Sequence, residues 1–206
     1  MDLLKKFDHL IFDLGQVIVD LSADRVIDGF SQYYQKPKED LQKLIVGMPE
    51  LYLYETGEMS DSDFIASVNA LFGSSVPDAV FRSIWNSMLV AIPTNKLDLL
   101  TMLSRTHKTY ILSNTNQMHQ DRFDEMVRTV LPDKAMSDMV HFPYYSHQIG
   151  LRKPELAAYS FILDKHNLNP SKVVFFDDKI ENIHSAEAVG ISGIHVTHPD
   201  KLTSFF

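Results

Sequence analysis

The chain has 206 residues, 45% hydrophobic and 22% charged, with a formal charge of -8 and no cysteine. That length accommodates one sizeable core and a smaller appended unit. The acidic balance, with no cluster of Lys and Arg among aromatics, argues against a nucleic-acid partner, and the lack of cysteine excludes disulfides and thiolate metal sites, in keeping with a cytoplasmic location. No apolar run approaches the roughly 20 residues of a membrane span, and Lys5 and Lys6 cut short Leu3-Leu4 before a signal-like segment forms.

In chain order, the first predicted strand is His9–Phe12, an apolar run that closes on Asp13, with Gly15 two residues on. Apolar residues at helical spacing follow from Ser22 to Val90 (among them Val26, Ile27 and Phe30; Leu41, Leu44 and Ile45; Phe64, Ile65 and Val68), with breaks at Pro37, Pro49, Gly57 and Gly73-Ser74-Ser75 and no strand-like run. This predicts an all-helical insertion over 20–92, far longer than an ordinary connection between strand and helix. Pro93 suits a first helical position and opens a helix bearing Leu97, Leu100 and Leu103.

Further strands are predicted at Lys108–Leu112, Lys172–Phe176 and Ile191–Val196, with a helix from Pro154 to about Asn167 between the second and third. Strand alternating with helix indicates a Rossmann-like α/β core with a parallel sheet, formed by residues 1–19 and 93–206 and carrying a small helical cap after its first strand.

Three of the strands end in polar residues: Asp13, then Ser113-Asn114, then Asp177-Asp178. Ligands of open α/β sheets bind outside the carboxyl ends of the strands, so these positions converge on one place. Taken singly, each has an ordinary explanation as a turn former or helix cap. Adjacent carboxylates after a buried strand, however, repel unless a cation or donor array meets them, and Lys153 at a helix start carries the wrong sign for the helix dipole.

Together these types suit phosphoryl transfer. A carboxylate can attack phosphorus and split one displacement into two easier steps. A hard divalent cation, Mg²⁺, removes the repulsion between that carboxylate and the ester, while a lysine and a hydroxyl-bearing loop cradle the phosphate oxygens. In this scheme Asp13 and Asp178 hold the metal, Lys153 supplies a point charge, and Ser113 with the Asn114 backbone N–H donates to phosphate.

Four motifs in order, FDLGQV (Phe12–Val17), LSNTN (Leu112–Asn116), LRKPE (Leu151–Glu155) and FFDDKIEN (Phe175–Asn182), resemble those of the haloacid dehalogenase-like (HAD) hydrolases, and in particular the bacterial sugar-phosphate phosphatases of that superfamily, glucose-1-phosphate phosphatases among them. The resemblance implies Asp13 as nucleophile and metal ligand, a Gly15 backbone carbonyl on Mg²⁺, Ser113 and Asn114 as the phosphate loop, Lys153 as the neutralising lysine and Asp178 as the acidic-motif ligand. Asp177 and Asn182 stand where many members carry glycine and aspartate, which implies a water-mediated or supporting part for them. The implied substrate is a small-molecule phosphate ester; the sequence leaves the oligomeric state open between monomer and weak dimer.

Gly15 stands where most phosphatase members carry a second aspartate that protonates the leaving group. Four explanations compete: a leaving group that needs little protonation, such as an anomeric sugar phosphate; a substitute acid, with Asp20 the nearby candidate; phosphonate or halide cleavage instead, the former calling for a cap lysine, a role for which nothing singles out Lys36, Lys38 or Lys43; or a protein that binds phosphate and metal without turnover. Within the insertion, Tyr52–Ser60 (YLYETGEMS) offers tyrosines, Glu55 and a flexible Gly57 to sugar hydroxyls, and Trp85 a stacking face, against the alternative of packing inside the cap. The nine histidines form no metal-binding pair, the methionines from Met118 to Met139 read as core filler, and Ser204-Phe205-Phe206 either packs on the core or meets another subunit.

Overall fold

The computed structural model describes residues 5–73 and 75–206, so Leu3, Leu4 and Ser74 lie outside the described residues, as do the side chains of Leu44 and Ile45. Five parallel strands form one sheet in the order β5-β4-β1-β6-β7: β1 (His9–Phe12), β4 (Lys108–Ser113), β5 (Phe142–Tyr145), β6 (Val173–Asp177) and β7 (Ser192–His195). Helices flank it: α6 (Thr94–Leu103), α7 (Gln117–Val130), the short α8 (Ser146–Ile149), α9 (Leu156–His166) and α10 (Ile180–Ala188).

β1 is central, and its residues Leu10, Ile11 and Phe12 are apolar because both faces of the strand are covered. Leu10 and Phe12 join one core cluster with Ile111, Val174 and Phe176, and Ile11 joins the opposite one with Tyr110, Leu112 and Phe175. The sheet order reverses at β1, which places the ends of β4, β1 and β6 side by side and opens the ligand crevice where they meet. The C-terminal aromatics pack back on this core, Phe206 lying 5.3 Å from Phe176 and 6.4 Å from Phe12 between ring centroids.

Between β1 and α6 stands a helical block of α1 (Ala23–Tyr34), α2 (Lys38–Gly47), α3 (Pro49–Glu55), α4 (Asp61–Phe72) and α5 (Asp78–Asn86). It has its own core, in which Phe30, Phe64, Phe81 and Trp85 stack and edge against one another. Two short strands, β2 (Asp20–Leu21) and β3 (Leu89–Ala91), pair antiparallel where the chain enters and leaves the block. The residue pattern of Ser22–Val90 predicts no strand, yet β3 begins at Leu89; three residues are too few to show alternation. β5 was also unforeseen, since Pro143 demotes its run, and Pro is tolerated here because β5 is an edge strand. Pro93 precedes α6 as its N-cap instead of opening it.

Candidate active site

The loop after β1 begins at Asp13, whose N–H donates to the Phe176 carbonyl at 2.9 Å and so continues the β1–β6 ladder by one residue. The chain then folds on itself: the Leu14 carbonyl accepts from the N–H groups of Ile18 and Val19, both at 2.8 Å, and Gln16 N–H donates to the Val19 carbonyl at 2.8 Å. Gln16 takes up the left-handed region, φ 55°, to make this turn.

Across the sheet, Lys153 Nζ lies 2.7 Å from Asp13 Oδ1 and 2.6 Å from Asp177 Oδ2. All three side chains are buried. Burial pushes the Asp13 carboxyl up to about 6, against the pull of Lys153, with Asp177 and Asp178 adding to the rise. Burial also works against the Lys153 charge, but Asp13 and Asp177 outweigh it and hold the ammonium above its usual value.

Asp177 is the most enclosed of the acids. Besides Lys153 it accepts from the Lys179 N–H at 2.8 Å and from Asn182 Nδ2 at 2.9 and 3.0 Å. The supporting pair implied by the sequence, Asp177 with Asn182, is therefore one hydrogen-bonded unit that orients Lys153. Asp178 is half-buried, its carboxyl raised by burial and then by Asp177, and its carbonyl lies 2.8 Å from His195 Nε2.

Ser113 ends β4 and is buried. Asn114 does something the sequence did not disclose: its Nδ2 donates to the Lys153 carbonyl at 2.7 Å while its Oδ1 accepts from the Lys153 N–H at 2.8 Å, clamping the lysine backbone between them. The side chain is thus a positioning device, in addition to any donation from its backbone.

The acids of Asp13, Asp177 and Asp178 place one oxygen each within 4.8 Å of one another. Three carboxylates against one lysine leave an excess of negative charge among oxygen donors, a set that fits a hard divalent cation.

Beside this cluster a cavity of about 310 Å³ runs between sheet ends and helical block. Gly15, Ser113, Asn114, Arg152 and Lys179 border it from the core side, and Glu55 and Trp85 from the block. A Cβ on Gly15 would meet Leu21 Cδ1 at 2.7 Å and lie 3.9 Å from Asp13 Oδ2, so the space of a second acid is partly filled by Leu21. Asp20 is not the substitute: Lys96 Nζ, itself buried, holds its Oδ1 at 2.9 Å, and it does not border the cavity. Nor do Lys36, Lys38 or Lys43, and Lys38 pairs with Asp28 at the surface.

Of the stretch Tyr52–Ser60, Glu55 alone borders the cavity. Tyr54 is buried and donates to Asp61 at 2.6 Å, and Tyr52 donates to Glu155 at 3.0 Å. Trp85 borders the cavity, but its ring stacks on His119, centroids 5.3 Å apart and planes at 11°. His119 is a packing residue of this seam. It is buried, its Nε2 bonds the Trp85 carbonyl at 3.2 Å, and Asn116 bridges its Nδ1 and the Trp85 indole. Burial lowers its pKa to about 4, which keeps it neutral.

No known protein-family model matches the chain. A curated relative, the D-ribitol-5-phosphate phosphatase of Bacteroides thetaiotaomicron, is 25% identical over 187 residues, covering 88% of each chain. The phosphorylated carbohydrates phosphatase of Thermotoga maritima is 26% identical over 198 residues, or 91% of this chain and 84% of that one. The crystal structure of a HAD family enzyme from Bacteroides thetaiotaomicron, in complex with magnesium and inorganic phosphate, superposes with a TM-score of 0.85 at 27% identity, covering 97% of this chain and 99% of that one. The chain is thus similar to HAD-family enzymes over nearly its whole length. It shares its fold more distantly with the L-2-haloacid dehalogenase of Xanthobacter autotrophicus, at a TM-score of 0.59 and 15% identity. Among the described residues, no helix is long and apolar enough to cross a membrane.

Proposed function

We propose that this protein is a Mg²⁺-dependent phosphatase that hydrolyses the monoester of a small phosphorylated carbohydrate through an aspartyl phosphate on Asp13, and that the helical block, residues 20–92, acts as its cap. The observation that carries this reading is the contact of Lys153 Nζ with both Asp13 and Asp177 at the ends of β1 and β6, with Asp178 beside them. The names of the two relatives and the magnesium and phosphate of the structural neighbour support it.

Asp13 and Asp178 carboxylates with the Gly15 carbonyl would hold the cation, which, when bound, screens the ester charge from the attacking carboxylate. The Asp13 oxygen opposite the leaving group forms the P–O bond as the ester oxygen departs. Lys153, Ser113 and the Asn114 N–H hold the phosphoryl oxygens, and their donors are fixed before the reaction begins by the clamp of Asn114 and the Asp177–Asn182 pair. Water then attacks the acyl phosphate and frees Asp13.

With Gly15 carrying no acid and Asp20 held by Lys96, the departing oxygen leaves without a carboxylic donor from the loop. That favours leaving groups of low basicity, and the finer reading is an anomeric phosphate such as glucose 1-phosphate, acted on in the cytoplasm. The test is hydrolysis of a panel containing glucose 1-phosphate, ribitol 5-phosphate and phenyl phosphate with Mg²⁺ and then with EDTA. Turnover lost on chelation and regained with Mg²⁺ is the expected result. No turnover of any ester would sink the reading and leave a binding protein, and a preference for ribitol 5-phosphate would sink the anomeric refinement alone.

A further inference from the structure

The cavity wall carries a charged pair that the phosphoryl chemistry leaves unused. Arg152 Nη2, beside the catalytic lysine in sequence, lies 2.8 Å from Glu55 Oε2 at the end of α3. Proximity here is not hydrogen bonding. Glu55 Oε2 and Arg152 Nε are both buried and neither has a hydrogen-bond partner among the described residues. The pair has thus met its charge requirement but kept an acceptor and a donor unspent, and buried groups of that kind are ordinarily matched.

The guanidinium is also held in place without using those valences. The Tyr52 ring lies 5.3 Å beneath it, and Tyr52 is itself fixed by its bond to Glu155. Gly57, two residues past Glu55, lies so close to the His147 carbonyl that a Cβ there would sit 2.1 Å from it, so the α3 end cannot drift off the core. The result is a rigid acceptor and donor, side by side, on the wall of a cavity whose lining also includes the apolar side chains of Leu21, Val26, Leu51 and Met88.

We infer that Glu55 and Arg152 determine specificity by reading hydroxyl groups on the leaving group: the carboxylate accepts from one hydroxyl, the guanidinium donates to its neighbour, and the carbon face of the same polyol rests on the apolar wall. This rests on the phosphatase reading and narrows it to esters of vicinal diols. A site that hydrogen-bonds a substrate hydroxyl discriminates strongly against an analogue without one, because its own groups are then left unpaired.

The experiment compares kcat/KM for ribitol 5-phosphate and for phenyl phosphate, which has no hydroxyl, in the unaltered protein, in Glu55→Gln and in Arg152→Gln, with a thermal melt of each. The ratio of the two constants is expected to fall about tenfold or more in each variant that folds. If both esters are hydrolysed and the ratio stays within twofold of its original value in both variants, Glu55 and Arg152 only lock block to core, and the inference is overturned while the phosphatase reading stands. If the unaltered protein hydrolyses neither of these esters nor glucose 1-phosphate, both readings fail together; if it hydrolyses phenyl phosphate but neither hydroxyl-bearing ester, the inference alone is overturned.

Discussion

Lys153 Nζ sits 2.7 Å from Asp13 Oδ1, so the residue assigned as nucleophile is oriented by the same cation that would receive the phosphate. An asparagine at position 13 keeps an oxygen to accept from that ammonium but cannot form an acyl phosphate. Asp13→Asn is therefore expected to lower kcat by more than about 10⁴-fold, the scale seen when a nucleophile is removed, with circular dichroism and melting temperature close to those of the parent. Activity retained within tenfold would refute the nucleophile assignment.

Gly15 can be probed by giving back the acid. Because a Cβ there meets Leu21 Cδ1 at 2.7 Å, Gly15→Asp alone forces Leu21 aside, whereas Gly15→Asp with Leu21→Ala frees the space. The double variant is expected to speed hydrolysis of alkyl phosphates by about 10²-fold, the lower end for a general acid, and to leave aryl phosphates little changed. Equal changes on both kinds of ester, read from kcat, would mean that proton supply is not what Gly15 lacks.

His119 sets an acid limit on stability. Its folded pKa of about 4 lies below the unfolded value near 6.5, so between those values the unfolded chain binds the extra proton and stability is lost as pH falls. The loss amounts to about 1.4 kcal/mol per pH unit and about 3 kcal/mol over the window. Asp13, raised to about 6, works in the opposite direction over much of the same range. The readout is accordingly the difference between parent and His119→Gln in urea unfolding at pH 7 and pH 4.5: the variant should show the shallower acid loss, and parallel curves would contradict the buried neutral state.

Gly57 combines a positive φ of 78° with its close approach to the His147 carbonyl. Gly57→Ala meets a backbone atom that cannot rotate away, and is expected to destabilise the fold by more than about 1 kcal/mol, lowering the melting temperature by several degrees. An unchanged melt would show that α3 can shift off the core at no cost.

The strand ends were legible because parallel strands covered on both faces are written as unbroken apolar runs, and the polar residue that stops each run marks the crevice: Phe12 to Asp13, Leu112 to Ser113, Phe176 to Asp177. β5 was hidden by Pro143, and β2 and β3 by their brevity. What spacing could not disclose are the relations made only by folding. Asn114 clamps Lys153 across 39 positions, Lys96 reaches Asp20 across 76, and Arg152 meets Glu55 from another layer. Asp177 was given less weight than Asp178 because motif comparison ranks residue types, whereas burial and four contacts rank it as the hub that steadies the lysine.

Trp85 is the single tryptophan of the chain, and its indole is stacked on a neutral imidazole at the seam between helical block and sheet. The protein therefore carries one intrinsic optical reporter, placed on the wall of the cavity itself. Occupancy of that cavity, and protonation of His119, should each register in the emission of one residue, so ligand titrations need no attached dye.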